Sequence, residues 1–186
     1  MATTQTYQVT KSKIELYKFR ADSGLYWADI TIDAHGRGGR ISIASDWGSW
    51  QNYWGAAGDD FKDFLGRISW DYAADKFEVA RHVDVDETIK NWKQQLLEHR
   101  REGSIESEDA RNVYDELVEL EGIPQAQFIY AVKDGSYIES YMYKYHDCPD
   151  VSYMHDPAFK AFWDAIWPVM LAEFAREKRL QTAVEA

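Results

Sequence analysis

The spacing of apolar residues changes near residue 59, and this change limits the folds open to the chain. Upstream, Ile30 and Ile32 in "ADITIDAHG" and then Ile41 and Ile43 in "GRISIAS" alternate with polar residues. A period of two is typical of strands that are buried on one face. Downstream, apolar residues recur at i, i+3, i+4 and i+7, as in "FKDFLGRI", which is typical of amphipathic helices. The sequence therefore predicts a sheet followed by helices.

The predicted sheet is an antiparallel meander of three strands within residues 13–54. "KIELYKF" supplies the first strand, and the loop "DAHGRGG" joins the next two, since its glycines can adopt the positive φ that hairpin turns need. The helices are predicted within residues 59–180. We interpret residues 1–186 as a single α+β domain, in which the sheet packs against the mainly helical C-terminal part.

Capping residues mark the predicted helix starts. These starts are Gly58 or Asp59, Ser69, Asp84 or Asp86, Ser107, Pro124 and Asp156. The segment "SYIESYMYKYHDC" has both a strand and a helix interpretation, and the two stay open. The long helix after Pro157 is predicted to be kinked or broken near Pro168, because proline lacks an amide N–H and clashes with the preceding turn.

Composition and charge exclude several classes of protein. The net charge is −11, and residues 61–122 hold most of it, with 9 basic and 16 acidic residues. An acidic chain is a poor ligand for phosphate backbones, so we expect no direct nucleic-acid binding. The apolar runs are too short for a membrane-spanning helix, and "MATTQTYQVTKSK" lacks the apolar core of a secretory signal. Because Cys148 is the single cysteine, no intramolecular disulfide can form.

A dense aromatic run follows the third predicted strand. "SDWGSWQNYWG" places Trp47, Trp50, Tyr53 and Trp54 within eight positions. If the run continues as a strand, Trp50 and Trp54 share one face, and Trp47 and Tyr53 share the other. One face can then pack on the helices while the other binds a partner or a flat ligand. Burial of both faces is the alternative.

Acidic residues concentrate in the helix pair that ends near Gly122. Carboxylates three or four residues apart on a helix lie about 5–6 Å apart, which is close to the spacing of phosphates along a nucleic-acid strand. An acidic helix face can therefore resemble nucleic acid to a basic channel, and an ordinary solvated face is the alternative. The candidate partner-binding residues are Glu106, Glu108, Asp109, Asp115, Glu116 and Glu119 on these helices, together with Trp47, Trp50 and Trp54.

Patterns for metal binding and catalysis are weak. "HDCPDVSYMHD" gathers His146, Cys148, Asp150 and His155, but their spacing matches no standard zinc signature. The paired acids of "GDDF" are typical of helix caps, and "HGRGG" lacks the Lys-Ser/Thr of a phosphate loop. We therefore expect no metal, no cofactor and no catalytic residue.

The order of these motifs resembles a family of small, uncharacterised proteins of tailed phages and prophages. The resemblance rests on Ser45–Gly48, Trp54–Gly55 and Asp60–Leu65, with support from "FKAFWDAIWP" near the C-terminus. It covers nearly the whole chain and is most specific in residues 24–65. It implies a phage accessory protein in the cytoplasm of the infected bacterium, and it transfers no catalytic residue.

Three functions remain open at this point. The preferred hypothesis is a non-catalytic inhibitor of a bacterial defence protein, such as a CRISPR effector or restriction complex. In it, the acidic face enters a basic groove and the Trp residues add an apolar anchor. The second hypothesis is a protein that binds or degrades a nucleotide signal, with Arg37, Arg40 or Lys62 contacting its phosphates. The third is a phage accessory protein with a structural role, which homodimerisation through one Trp face would favour.

Overall fold

The computed structural model describes residues 6, 8–9, 11–132, 137–145 and 150–185. The strands are β1 Glu15–Arg20, β2 Trp27–His35, β3 Gly38–Ser45, β4 Gly48–Trp54, β5 Arg81–Val83 and β6 Tyr153–His155. The helices are α1 Phe61–Leu65, α2 Trp70–Lys76, α3 Val85–Arg101, α4 Ser107–Glu119, α5 Gln125–Val132, α6 Tyr137–Tyr145 and α7 Pro157–Glu185. The chain divides into two compact units, of which unit 1 is Met1–Val79 with Pro157–Ala186 and unit 2 is Ala80–Asp156. The interpretation as a single domain stays a prediction.

Unit 1 contains an antiparallel sheet with strand order β1-β2-β3-β4. The predicted α+β class is confirmed, but the prediction of three strands is wrong because the sheet has a fourth. The chain reverses at Asp46–Trp47, so that Ser45 pairs with Gly48 and β4 runs back along β3. Gly48 adopts a φ of 150°, and a Cβ at this position would meet the ring of Trp50. The sequence pattern missed this turn because aromatic residues continue through it.

One face of the sheet packs on α1, α2 and α7. Ile30 and Ile32 of β2 and Ile41 and Ile43 of β3 are buried, as their alternation predicts. Helix α7 supplies the other side of this core with Phe159, Phe162, Ile166, Trp167, Met170 and Phe174. The core of unit 1 is therefore a layer of aliphatic strand residues against a layer of largely aromatic helix residues.

Side-chain caps fix several helix starts. Ser69 and Asp84 accept hydrogen bonds from main-chain amides three residues on, and so cap α2 and α3 as predicted. Helix α1 begins after Asp60, whose carboxylate accepts from two amides of the first turn, rather than after Gly58 or Asp59. The predicted cap at Ser107 is wrong, because the capping position of α4 is occupied by the preceding residue.

Helix α7 is continuous through Pro168. Of the predicted kink or break near Pro168, the break is therefore wrong, and the kink stays a prediction. Pro168 lies on the exposed side of α7, whereas Trp167 before it and Met170 after it are buried. Burial of large side chains on both sides of the proline holds the two halves of the helix on the same core, which offsets the lost main-chain hydrogen bond.

Unit 2 is mainly helical, with β5 and β6 forming a short antiparallel pair. Within the ambiguous segment, the described residues Tyr137–Tyr145 form helix α6, whose Ile138, Tyr141 and Met142 are buried. The core also includes Ile89, Trp92, Leu96, Ile105, Ala110, Val113, Leu117, Leu120 and Phe128. Among the described helices of both units, none is long and apolar enough to cross a lipid bilayer.

Candidate functional site

Trp54, one of the predicted partner-binding residues, is part of the core of unit 1. Its side chain is 7% exposed, and its ring lies 5.5–5.9 Å from the rings of Phe61, Phe64 and Phe77. The indole Nε1–H donates a hydrogen bond to the hydroxyl of Tyr72 at 3.0 Å. A side chain with these contacts cannot serve as a docking anchor without unfolding, so the role of Trp54 is structural.

Trp50 lies on the same face of β4 as Trp54 and is half-buried. Its ring lies 5.0 Å from that of Phe159 and 5.3 Å from that of Phe162 on α7. The opposite face of β4 carries exposed Ser49, Gln51 and Tyr53. The predicted sharing of faces is thus correct for Trp50 and Trp54, and their shared face is the one that packs on the helices.

Trp47, unlike Trp50 and Trp54, stacks on an exposed aromatic side chain outside the core. It lies in the β3–β4 turn, half-buried, with its ring edge-on to Phe162 at 6.3 Å. Its other side stacks on the ring of Tyr26, with centroids 5.1 Å apart and planes 15° apart. Tyr26 and its neighbour Leu25 are more than half exposed. We call Leu25, Tyr26, Trp27 and Trp47 the turn patch, because both contributing turns lie at the same end of the sheet.

The turn patch was not predicted, although the sequence held a signal for it. "SGLYW" places Leu25 and Tyr26 in the turn before β2 and Trp27 at the start of that strand, and polar residues normally dominate turns. Apolar residues in a turn are expected either to pack on a neighbouring element or to remain exposed as a contact surface.

Three of the six predicted acids form one exposed row on α4. Glu108, Asp115 and Glu119 are separated by seven and four residues, which is close to two turns and one turn of an α-helix. All three are exposed, and the described residues provide no salt bridge to any of them. We call these three residues the acidic stripe. Arg111 on the same side of α4 is the cation nearest to the stripe in sequence.

The other three acids are Glu106, Asp109 and Glu116. Glu116 accepts hydrogen bonds from the amides of Tyr137 at 3.0 Å and Ile138 at 2.9 Å, and it therefore caps the start of α6. Asp109 lies beside Lys144 in the lining of a small cavity of about 150 Å³. A hydrogen bond with Tyr145 raises the pKa of Lys144, and Asp109 and Glu106 raise it further. Of these three acids, Glu116 has hydrogen-bonded partners within unit 2, whereas Asp109 and Glu106 are exposed.

Lys62, proposed from the sequence as a phosphate ligand, is already engaged in unit 1. Its Nζ lies 2.6 Å from Glu15 Oε2, 2.7 Å from the Tyr17 hydroxyl and 2.8 Å from Glu177 Oε2. Burial lowers the pKa of Lys62, but these hydrogen bonds outweigh it and raise the pKa above its ordinary value. Burial and its hydrogen bond to Glu15 raise the pKa of the Tyr17 hydroxyl. At neutral pH the pair is a charged ammonium and a neutral phenol, and neither is a base or nucleophile.

The candidate metal ligands fall only partly within the structure. His146 and Cys148 lie outside the described residues, whereas Asp150 and His155 lie within them. In the described ranges no group of three or more His, Cys, Asp or Glu side chains could hold a metal ion.

The fold and its surfaces define an α+β protein that carries an exposed acidic row on one helix. A family model described as a phage family, Phage_phiTE_072, matches residues 7–177. The chain belongs to this phage family, which confirms the resemblance predicted from its motifs. No curated protein and no solved structure gives a match.

Proposed function

We propose that this phage protein is a non-catalytic inhibitor that binds a bacterial defence protein, such as a CRISPR effector or a restriction complex, through the acidic stripe of α4. The stripe occupies the groove in which that protein holds nucleic acid. The exposure of Glu108, Asp115 and Glu119 on one side of α4 is the observation that carries the proposal.

The spacing of the stripe supports mimicry of a phosphate backbone. Asp115 and Glu119 are one turn apart, so their carboxylates lie within about 5–6 Å. Glu108 precedes Asp115 by seven residues, or about 10 Å along the helix axis. Arginine and lysine side chains that line a nucleic-acid groove contact successive negative charges over this length scale.

Charge alone would give weak binding, because an exposed ion pair contributes only about 0–1 kcal/mol. An apolar anchor is therefore part of the proposal. Of the three Trp residues predicted for it, Trp47 keeps this role, and with Tyr26 and Leu25 of the turn patch it forms a separate contact that unit 1 makes with the partner. Trp50 and Trp54 are not part of the proposed anchor, because they pack on the helices.

The nucleotide hypothesis loses Trp50, Trp54 and Lys62, whereas Arg37 and Arg40 are exposed. The rings of Trp50 and Trp54 contact Phe side chains, and the ammonium of Lys62 is bonded to two carboxylates. A base would have to displace the core to stack on these indoles.

The test is a charge reversal with a matched control. Tagged protein first captures its partner from a lysate of a host bacterium, and the affinity for the purified partner is then measured at low and moderate salt. We expect Glu108→Lys/Asp115→Lys/Glu119→Lys to weaken binding by at least about tenfold. The control Asp59→Lys/Asp71→Lys/Glu78→Lys changes the net charge equally on exposed positions of unit 1 outside the turn patch, and its binding should stay within about threefold of wild type.

Two results would contradict the proposal. One is an affinity that does not change with salt, and the other is an equal loss in both triple variants. A small-molecule ligand detected by calorimetry against a panel of nucleotides would instead favour the second hypothesis.

A further inference from the structure

Strand β1 has an unpaired edge, since it is an outer strand of the sheet. The amide of Ala21 donates to the carbonyl of Tyr26 at 2.9 Å and closes the β1–β2 hairpin. Hydrogen-bonded pairs alternate along an antiparallel ladder, so the main-chain groups of Tyr17 and Phe19 face β2. Those of Leu16 and Lys18 face away from the sheet. In the described part of the chain no strand pairs with them.

A groove runs beside this edge, between β1 and α7 within unit 1. Its volume is about 470 Å³. Phe19 and Val169 supply apolar surface, while Lys18 from β1 and Arg176 and Arg179 from α7 supply positive charge. A strand added to β1 would direct alternate side chains into this groove, because successive side chains of a strand point to opposite faces.

The charge of the edge is opposite to that of the chain. Residues 11–20 carry four basic residues and one acid, in a chain of net charge −11. In the groove Glu173 pairs with Arg176, with N–O distances of 2.5 and 2.8 Å. Lys18 and Arg179 make no ion pair with any described residue. The edge and groove therefore present net positive charge to an incoming strand.

We propose that β1 binds an extended acidic segment of another protein as a fifth strand of the sheet. The main-chain groups of Leu16 and Lys18 form the ladder with the segment, and Lys18 and Arg179 pair with its carboxylates. This surface is separate from the acidic stripe, so the proposal does not rest on the proposed function. Positive charge on β1 disfavours pairing with a second copy of itself, and free main-chain donors and acceptors favour a peptide over a nucleic acid.

The test uses a fluorescent decapeptide in which Glu and Val alternate, with full-length protein and fluorescence anisotropy at low salt. A Lys-Val peptide controls for charge. A Glu-Val peptide that is N-methylated at every residue keeps the charge but has no ladder donors on either edge. We expect the Glu-Val peptide to bind at least about tenfold more tightly than either control peptide.

A protein variant tests the groove. Lys18→Glu/Arg179→Glu should weaken binding of the Glu-Val peptide at least about tenfold. Arg67→Glu/Arg101→Glu changes the net charge equally at exposed positions away from the groove, and it should bind within about threefold of wild type. Far-ultraviolet circular dichroism checks that both variants are folded.

Several outcomes would overturn the inference. Equal binding of the methylated and unmethylated peptides would show attraction by charge without strand addition. No binding up to millimolar peptide would rule out the proposed site. An equal loss of affinity in the two double variants would also rule it out. Tighter binding of a single-stranded oligonucleotide, or a protein dimer that the peptide dissociates, would assign the edge to a different occupant.

Discussion

Strand β4 and helix α4 both carry a sequence pattern that suggested a partner surface, yet they fold differently. On β4 the Trp50 and Trp54 face packs on the helices, and the polar face of Ser49, Gln51 and Tyr53 is exposed. On α4 apolar Val113 and Leu117 are buried, and the acidic stripe is exposed. A cluster of aromatic residues is thus weak evidence for a docking surface, whereas a row of carboxylates on one helix side is stronger evidence for an exposed face.

The difference follows from the free energy of transfer out of water. A Trp, Tyr or Phe side chain buries about 150–250 Å² and gains about 25 cal/mol for each Å² of apolar surface removed from water. An unpaired carboxylate loses several kcal/mol when it is buried. An amphipathic element therefore turns its indoles inward and its acids outward unless a specific partner within the fold holds them, as α6 holds Glu116.

The largest effect should come from Trp54. Replacing Trp54 with Ala removes ring contacts to three Phe side chains and the hydrogen bond to Tyr72. We expect a loss of about 3–5 kcal/mol in the free energy of unfolding, measured by urea denaturation. Tyr53→Ala on the exposed face of β4 is the matched control and should cost about 1 kcal/mol or less. Similar losses in the two variants would contradict the assignment of faces.

The second effect concerns Lys62. Lys62→Met keeps the aliphatic stem but leaves Glu15 and Glu177 without their shared cation, and we expect a loss of about 1–3 kcal/mol at neutral pH. Lys160→Met breaks an exposed pair with Asp164, and this control should cost less than about 0.5 kcal/mol.

The pH dependence of this loss has a defined sign. Burial raises the pKa of Glu15, but hydrogen bonds from Lys62 and Tyr17 outweigh it and lower the pKa. Its contribution is therefore complete above the unfolded value of about 4.3 and is lost as the pH falls through the folded value. The contribution of Lys62, whose pKa is raised, is complete below about 10.4 and is lost as the pH rises through the folded value. Wild type should keep its advantage over Lys62→Met from about pH 5 to 10 and lose part of it near pH 3. An advantage that is unchanged at pH 3 would assign the effect to packing.

The third prediction compares two glutamates of α4, Glu116 and Glu119. Glu116→Ala removes the acceptor for two amides at the start of α6, and we expect a cost of about 1–2 kcal/mol. Faster hydrogen exchange of the amides in Tyr137–Tyr145 should accompany it. Glu119→Ala is the matched control, because it removes the same type of side chain about one helical turn away. It should change the free energy of unfolding by no more than about 0.5 kcal/mol and leave the exchange of these amides unchanged. Equal losses of stability in the two variants would contradict the assignment of Glu116 as a helix cap and Glu119 as a residue of the acidic stripe.

The smallest effect should come from neutralising the acidic stripe. Glu108→Gln/Asp115→Asn/Glu119→Gln should leave the free energy of unfolding within about 0.5 kcal/mol of wild type. Relief of repulsion between Asp115 and Glu119 offsets the loss of a favourable charge in the first turn of α4. A larger loss, measured by urea denaturation, would mean that the stripe stabilises the fold rather than serving a partner.

Local patterns predicted the features that depend on near neighbours. The alternation of Ile30, Ile32, Ile41 and Ile43 and the caps at Ser69 and Asp84 each involve residues close in sequence, and the structure confirms them. The turn at Asp46–Trp47 is also local, but it occurs within an aromatic run that satisfies the strand pattern on both sides of it.

Long-range partners account for most of what the sequence left open. Lys62 meets Glu177 across 115 positions, and Glu116 reaches the start of α6 about twenty residues on. Neither contact has a signature in residue spacing, because only the tertiary fold brings the groups together. The separation of Glu116 from the acidic stripe therefore required the structure.

Carboxylate footprinting of the complex with the captured host protein tests the central claim most directly. Carbodiimide labelling followed by mass spectrometry reports the accessibility of each acid with and without the partner. We predict protection of Glu108, Asp115 and Glu119, with Asp59, Asp71 and Glu78 labelled equally in both states. Unchanged labelling of the three stripe residues in a complex that has formed would contradict it.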